Sequence, residues 1–595
     1  MRFSFLLLLI AVLSTCGNSD IGTDGSPTPA ADPAFDRLLE AYNEERLRLN
    51  PLEATFLGDN RYNDRLTNTI SVPYRANARD FYTRISGQLD ETDRAGLNPT
   101  QQVSYDVLRW ECDINLEALE FREDLLPLDQ FSGFHLMIGQ LASGASAQPF
   151  VTVADYDNWL MRAADFVNML DTAMVRMDEG LAQGYVLPTS LIDKLRPQVR
   201  GLTEGPLEDH LFYSPVRNMP DSFPASEQQR LTGLYRGLVI EVASRMEMLL
   251  NMINEDYAPA GRADSGIDGI PDGAAYYRHL IKRYTTTDMT ADAIHQLGLR
   301  EVARLRGEME AVKAQVAFDG PLDDFFDYVR NKPELSPFTD PQQVIDNFNA
   351  IYDKMKPQLA MLFDKTPKTE FEVRRTEAFR EATASAEYNP GSQDGSRPGI
   401  FYVPIPDVET YNIFSDEDLF LHEAIPGHHY QVSLTQENEE LPAFRRSLWY
   451  SAYGEGWALY SESLGKELGL YDDAYQYFGM LSAEMHRAIR LVVDTGLHSK
   501  GWSRERAIEY SLANEAEGEA SIIAEIERYM AIPGQALSYK VGQLKIRELR
   551  ARAEDELGDA FDIKAFHNLV LSPGCVPLAV LETMVDGWIA EQKRS

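Results

Sequence analysis

His422-Glu423-Ala424-Ile425-Pro426-Gly427-His428-His429 holds three of the ten histidines in this 595-residue chain. Neutral imidazoles and carboxylates are the usual nitrogen and oxygen ligands of catalytic zinc. A Glu beside a zinc-bound His is the usual general base of zinc peptidases. Helical zinc sites commonly use two His four residues apart, which puts both on one face. Position 426 is Pro, so that arrangement is absent. On a regular helix of about 3.6 residues per turn, a step of six from His422 misses the face, and a step of seven returns about 10 Å along the axis. Pro426 removes a backbone donor and clashes with the preceding turn, so the helix is expected to break or bulge here. Two residues looped out would bring His428 to the place of the usual second ligand, which favours it over His429. His429 is then an alternate ligand or a substrate contact. The plainer reading is core or surface histidines on a kinked helix. Three His and a Glu around one Pro-Gly break weigh against it.

The flanks extend the pattern. Ser415-Asp416-Glu417-Asp418 reads as a helix start, with Ser415 as N-cap and an acidic first turn. Catalytic zinc has three protein ligands and a water. Glu455 lies between Gly454 and Gly456 in an otherwise apolar and aromatic stretch. An unpaired charge there is costly, so Glu455 is the expected third ligand, and Glu462 shares its face as a supporting carboxylate.

Away from this region the sequence reads mostly as helix. Phe35 to Leu49, Asp155 to Leu181 and Glu227 to Ile253 are amphipathic, and Thr290 opens a further helix. Gly399-Ile400-Phe401-Tyr402-Val403, between two prolines, is the best strand. Asp256 to Gly273 and Glu387 to Gly399 read as loops, the second close enough to the His cluster to be a binding loop. The expected class is mainly α with a small β-sheet near the site. An N-terminal helical half (35–273) and a catalytic helical half (274–595) are expected to form one unit.

Composition sets the compartment and the partners. A short apolar run after Met1-Arg2 reads as a signal peptide over residues 1–15. Leu13-Ser14-Thr15-Cys16 resembles a bacterial lipoprotein box, although Thr15 departs from the usual Gly, Ala or Ser. Residues 16–34 read as a flexible tether behind a lipidated Cys16. The expected location is the cell envelope, as a periplasmic or outer-membrane-anchored lipoprotein touching the membrane only through its lipid. A net charge of −37 excludes nucleic acid as a partner, because no basic stripe is available for phosphates. Cys112 and Cys575 remain, and spacing alone leaves their pairing open.

The motif His422–His429, with Glu455-Gly456-Trp457-Ala458-Leu459-Tyr460, resembles a large bacterial family known as a domain of unknown function, number 885, with many lipoprotein-like members. Asn50–Thr55, Ile294–Gly298, Asp394–Gly399, Asp494–His498 and Pro533–Gly542 fit it as well. That family in turn resembles zinc peptidases of the carboxypeptidase Taq and thimet oligopeptidase types, which are helical with a deep central cleft. Those lack the two-residue insertion found here. The resemblance implies one Zn2+ per chain, with His422, His428 and Glu455 as ligands and Glu423 as base. It also implies an oxyanion donor from a C-terminal segment. Tyr539 matches that place best, with Tyr529 and His498 behind it. His498 is also an alternate for the metal surroundings.

The expected activity is hydrolysis of oligopeptides or peptide C-termini by zinc-activated water. Gly399, Ile400, Phe401 and Tyr402 would bind the peptide by strand addition, or else form an ordinary buried strand. Arg487, Arg490 and Arg547 are candidates for holding a substrate carboxylate. A zinc hydrolase of a non-peptide ester or amide would show the same ligands. A non-catalytic binding lipoprotein would lack a base or a ligand, and none is missing. A di-iron bundle is disfavoured, because paired Glu-x-x-His motifs are absent.

Overall fold

The computed structural model describes residues 30–144, 146–377, 381, 384–392 and 397–594. The signal peptide, Cys16 and the tether up to residue 29 lie outside the described residues, as do Asp394 to Ser396. The amphipathic stretches form long helices with local reasons for their ends. Pro33–Leu49 starts where the Asp32 side chain accepts from the Ala34 N–H. Val153–Gln183 opens with a reciprocal Thr152/Asp155 capping box and closes at Gly184, whose φ of 84° suits a residue without Cβ. Ala291–Gln315 begins behind Thr290, whose side chain accepts from the Ala293 N–H. The stretch from Asp256 to Gly273 is not a plain loop. It carries the end of a π turn at Ile253–Tyr257 and 3-10 turns at Ala258–Ala260 and Ile267–Gly269.

Two apolar cores result. One packs Val153–Gln183 against Ala225–Met252 around Trp159, Phe166, Tyr156 and Tyr235. The other runs from Phe35 and Tyr42 to Ile589 and includes the segments around His422 and Glu455. Residues on both sides of position 273 therefore share one core. No helix among the described residues is long and apolar enough to cross a membrane. Cys112 and Cys575 are both free and buried, so they do not pair.

The sheet has three strands, β1 (Phe371–Arg375), β2 (Glu387–Asn389) and β3 (Gly399–Val403), in the order β1-β3-β2. β1 runs parallel to β3 and β2 antiparallel to it. Glu387–Asn389 thus departs from the loop expected there. Its three residues are too few for an alternating pattern to be read from sequence.

Close helix crossings set the site's position. A Cβ on Gly542 would lie 1.8 Å from the Ala452 carbonyl oxygen, and one on Gly456 would lie 2.6 Å from the Gly542 Cα. Only glycines let the Ser451–Ser463 helix, which carries Glu455, touch the Ser538–Leu557 helix, which carries Tyr539. A Cβ on Gly298 would likewise meet Leu491 and Val492 at 2.8 Å, so Ala291–Gln315 lies tight against Ala474–Ser499.

Candidate metal centre

The His422 segment is two helices and a sharp return. Asp416–Glu423 ends at Ala424, and His428–Glu437 starts directly after Gly427. The intervening Ile425–Pro426 peptide is cis, and the Pro426 carbonyl accepts from the Trp457 indole N–H at 2.8 Å. A Cβ at Gly427 would lie 1.9 Å from the His422 carbonyl oxygen, so the return requires glycine. The break is thus larger than a two-residue bulge: four residues leave the helix, and His428 opens a new one. Ser415 makes no side-chain cap, and the acidic turn after it is buried.

This return brings His422, His428 and Glu455 together. One ligand atom from each lies within 4.8 Å of the other two. Glu455 Oε2 is 3.4 Å from His428 Nε2 and 3.7 Å from His422 Nε2. Two ligands about 2.1 Å from one tetrahedral zinc stand about 3.4 Å apart, so the spacing fits that ion better than it fits a hydrogen bond. His422 Nδ1 lies 2.7 Å from Glu462 Oε1; a carboxylate oxygen there accepts the Nδ1–H and leaves Nε2 as the ring nitrogen facing the group. Donor chemistry, spacing and tautomer all suit zinc.

Electrostatics sort the carboxylates. Burial pushes the Glu423 carboxyl up to about 7, with His428 opposing. Burial would raise Glu455 too, but the imidazoles of His428 and His422 outweigh it and hold it down to about 2. Behind His422, burial pushes Glu462 up to about 8 against the pull of Arg487, and burial also holds Asp418 well above the usual carboxylate range. Asp418 Oδ1 and Glu462 Oε2 are both buried without a donor. One proton shared between the two carboxyls satisfies both atoms.

His422, Glu423, His428 and Glu455 line a cavity of about 740 Å3, together with Tyr388, Trp449, His486, Arg487, Arg490, Arg528 and Tyr539. The family model described as "Bacterial protein of unknown function (DUF885)" matches residues 51–585. The chain belongs to this family. No curated protein matches it. A crystal structure described as "the putative lipoprotein from Colwellia psychrerythraea" is 29% identical, with a TM-score of 0.84 over 94% of this chain and 99% of that one. A "putative lipoprotein of unknown function from Shewanella oneidensis" is 18% identical, with a TM-score of 0.67 over 93% of this chain and 99% of that one, a likeness of fold alone.

Within this DUF885 chain the other expected site residues separate. His429 turns to the sheet: its Nδ1 is 3.0 Å from the Tyr388 hydroxyl and its ring packs on Phe371. It is not part of the three-residue group. His498 has both ring nitrogens on backbone, Nδ1 accepting from the Ile267 N–H and Nε2 facing the Tyr529 carbonyl, each at 3.0 Å. It is a structural link, not a metal neighbour. Tyr529 donates to Glu525 and does not line the cavity, whereas Tyr539 does. Arg547 pairs with Glu484 at 3.5 Å and lies outside the cavity lining.

Gly399, Ile400, Phe401 and Tyr402 need correcting as a peptide-binding edge. β3 is the central strand, with both edges already paired, and has no free ladder to offer. Gly399 serves close packing instead, since a Cβ there would lie 2.6 Å from the Tyr388 hydroxyl. The edge strand at the cavity is β2, through Glu387 and Tyr388. Trp449, His486 and Arg528 were not foreseen. Trp449 carries no local signal, because its place depends on Gly454, where a Cβ would lie 2.1 Å from the indole.

Proposed function

We propose that this chain is a zinc-dependent peptidase of the cell envelope, acting on oligopeptides or peptide C-termini. The observation that carries the proposal is the convergence of one ligand atom each from His422, His428 and Glu455 to within 4.8 Å of one another, beside a Glu423 that lines the same cavity. When bound, zinc supplies Lewis acidity that acidifies water and polarises an amide carbonyl. The chain's own groups do the rest. Glu423 accepts a proton at its carboxylate and returns it to the leaving nitrogen, a task suited to a carboxyl with a pKa near 7. Glu462 holds the His422 ring in the productive tautomer. The Tyr539 side chain, on the same cavity, is a donor for the developing oxyanion. β2, not β3, is the strand at the cavity, and its Tyr388 backbone bonds the Glu423 carboxylate. The envelope location rests on the Cys16 segment and on the lipoprotein description of the 29% identical Colwellia structure.

The test uses purified full-length protein with its zinc content measured. A diverse peptide mixture is incubated with wild type and with Glu423→Gln, and products are read by mass spectrometry. Products from wild type alone support the proposal. Identical peptide profiles from zinc-loaded wild type and Glu423→Gln sink it.

A further inference from the structure

We propose that Arg487 and Arg490, one turn apart on the Ala474–Ser499 helix, form a seat for a substrate carboxylate in the cavity that holds the metal group. The inference rests on the peptide-hydrolase reading and gives its substrate a required charge.

Arg490 is only 6% exposed and lines the cavity. Its guanidinium is pinned on three sides. Nε donates to the Tyr529 hydroxyl at 2.9 Å, Nη2 donates to Glu525 Oε2 at 2.9 Å, and the Tyr539 ring lies 4.5 Å from its carbon. The remaining nitrogen, Nη1, is buried without an acceptor. Arg487 also lines the cavity, and its buried Nε has no acceptor, while Nη1 donates to the Ala483 carbonyl at 3.3 Å. Beside them Arg528, held by Glu525 and Gln535, leaves its Nε without an acceptor. Orphaned N–H groups on buried cations are costly, and buried charged donors are normally satisfied.

Among the described residues no carboxylate stands within ion-pair distance of Arg487: Glu462 and Asp418 feel its charge from behind His422, and Glu517, on the same cavity, pairs with neither arginine. Glu525 is shared among Arg490, Arg528 and the Tyr529 hydroxyl. Glu515 is taken by His486. A planar anion with two oxygens matches two guanidinium donors one turn apart better than a neutral amide does. The carboxylate would come either from a peptide's free C-terminus or from an acidic side chain.

Binding separates this inference from the catalytic one. Full-length Glu423→Gln protein, loaded with zinc, is titrated calorimetrically with acetyl-Ala-Phe-Ala as free acid, with its C-terminal amide, and with acetyl-Asp-Phe-Ala amide. We expect at least one carboxylate-bearing probe to bind about tenfold to 100-fold tighter than the neutral amide. Preference for the free acid assigns the seat to the C-terminus; preference for the Asp peptide assigns it to a side chain. The preference should collapse in Arg487→Gln and in Arg490→Gln. The first loses no ion pair and so guards against misfolding of the second; because it does lose its pull on Glu462, the zinc content of both variants is measured beside binding. Equal binding of all three probes, or a preference that survives both substitutions, overturns the inference. Carboxylate-selective binding without cleavage by wild type would keep the seat and remove the peptidase.

Discussion

Glu423 and Glu455 are both carboxylates in one buried site, yet their environments drive them about five pKa units apart, to about 7 and about 2. Under the proposed function, that split suits a proton carrier and a permanent ligand. We expect Glu423→Gln to keep its zinc and lose about 10²-fold to 10⁴-fold in kcat. The acid limb of kcat/KM should fall at pH 7 or below, since a bound cation favours the carboxylate further; a limb clearly above 7 would contradict the role. Glu462→Ala removes the partner of His422 Nδ1 and should weaken zinc about 10-fold to 100-fold, measured by competition with a chelator. His422, Glu423 and Glu455 were legible because type and neighbourhood pointed one way. Asp418 was not, since a carboxylate in an acidic helix start is usually solvated, and only packing turned this one inward.

Among the elements, the return between the two histidine helices matters most. Gly427→Ala places a Cβ 1.9 Å from the His422 carbonyl oxygen. The loss of stability should be about 1–3 kcal/mol, with metal binding lost alongside. Gly233, within the Ala225–Met252 helix, has open space where a Cβ would stand, with nothing within 4 Å. Gly233→Ala should instead stabilise by about 0.5–1 kcal/mol, and denaturant titration of both variants checks the contrast. The long helices were readable from periodicity. β2 was not, because three residues carry too little pattern, nor was β1, which has only Phe371 and Val373 among three charges where β3 is a mostly apolar run between prolines; the central place of β3 is a property of its partners.

For the whole molecule, buried acids govern the response to pH. Burial raises Asp416 to about 8 and Asp494 to about 7. Folded chains therefore hold protons that unfolded chains have released, and in this range stability falls as pH rises. Glu484 acts oppositely: against burial, Lys540 and Arg304 hold it down to about 2, and its contribution is lost as pH falls towards that value. The melting temperature of metal-free protein should rise as pH falls from 8 to about 6.5; below that His429, His498 and His567, held at about 4 by burial, bind protons more readily unfolded than folded and oppose a further rise, and the melting temperature should drop below about 4. A melting temperature that climbs steadily from about pH 6.5 to 8 in calorimetry would refute this balance.

The amino-acid order alone determined the helical class, the long amphipathic helices and the neighbourhood of His422, Glu423 and Glu455, because each is written in local spacing and residue type. Tertiary structure decided the rest. It turned His428 inward and His429 to the sheet, gave the cavity edge to β2 instead of β3, tied His498 to backbone, and set Arg487 and Arg490 beside the metal group. Each of these depends on contacts between residues tens to hundreds of positions apart, which no local pattern encodes.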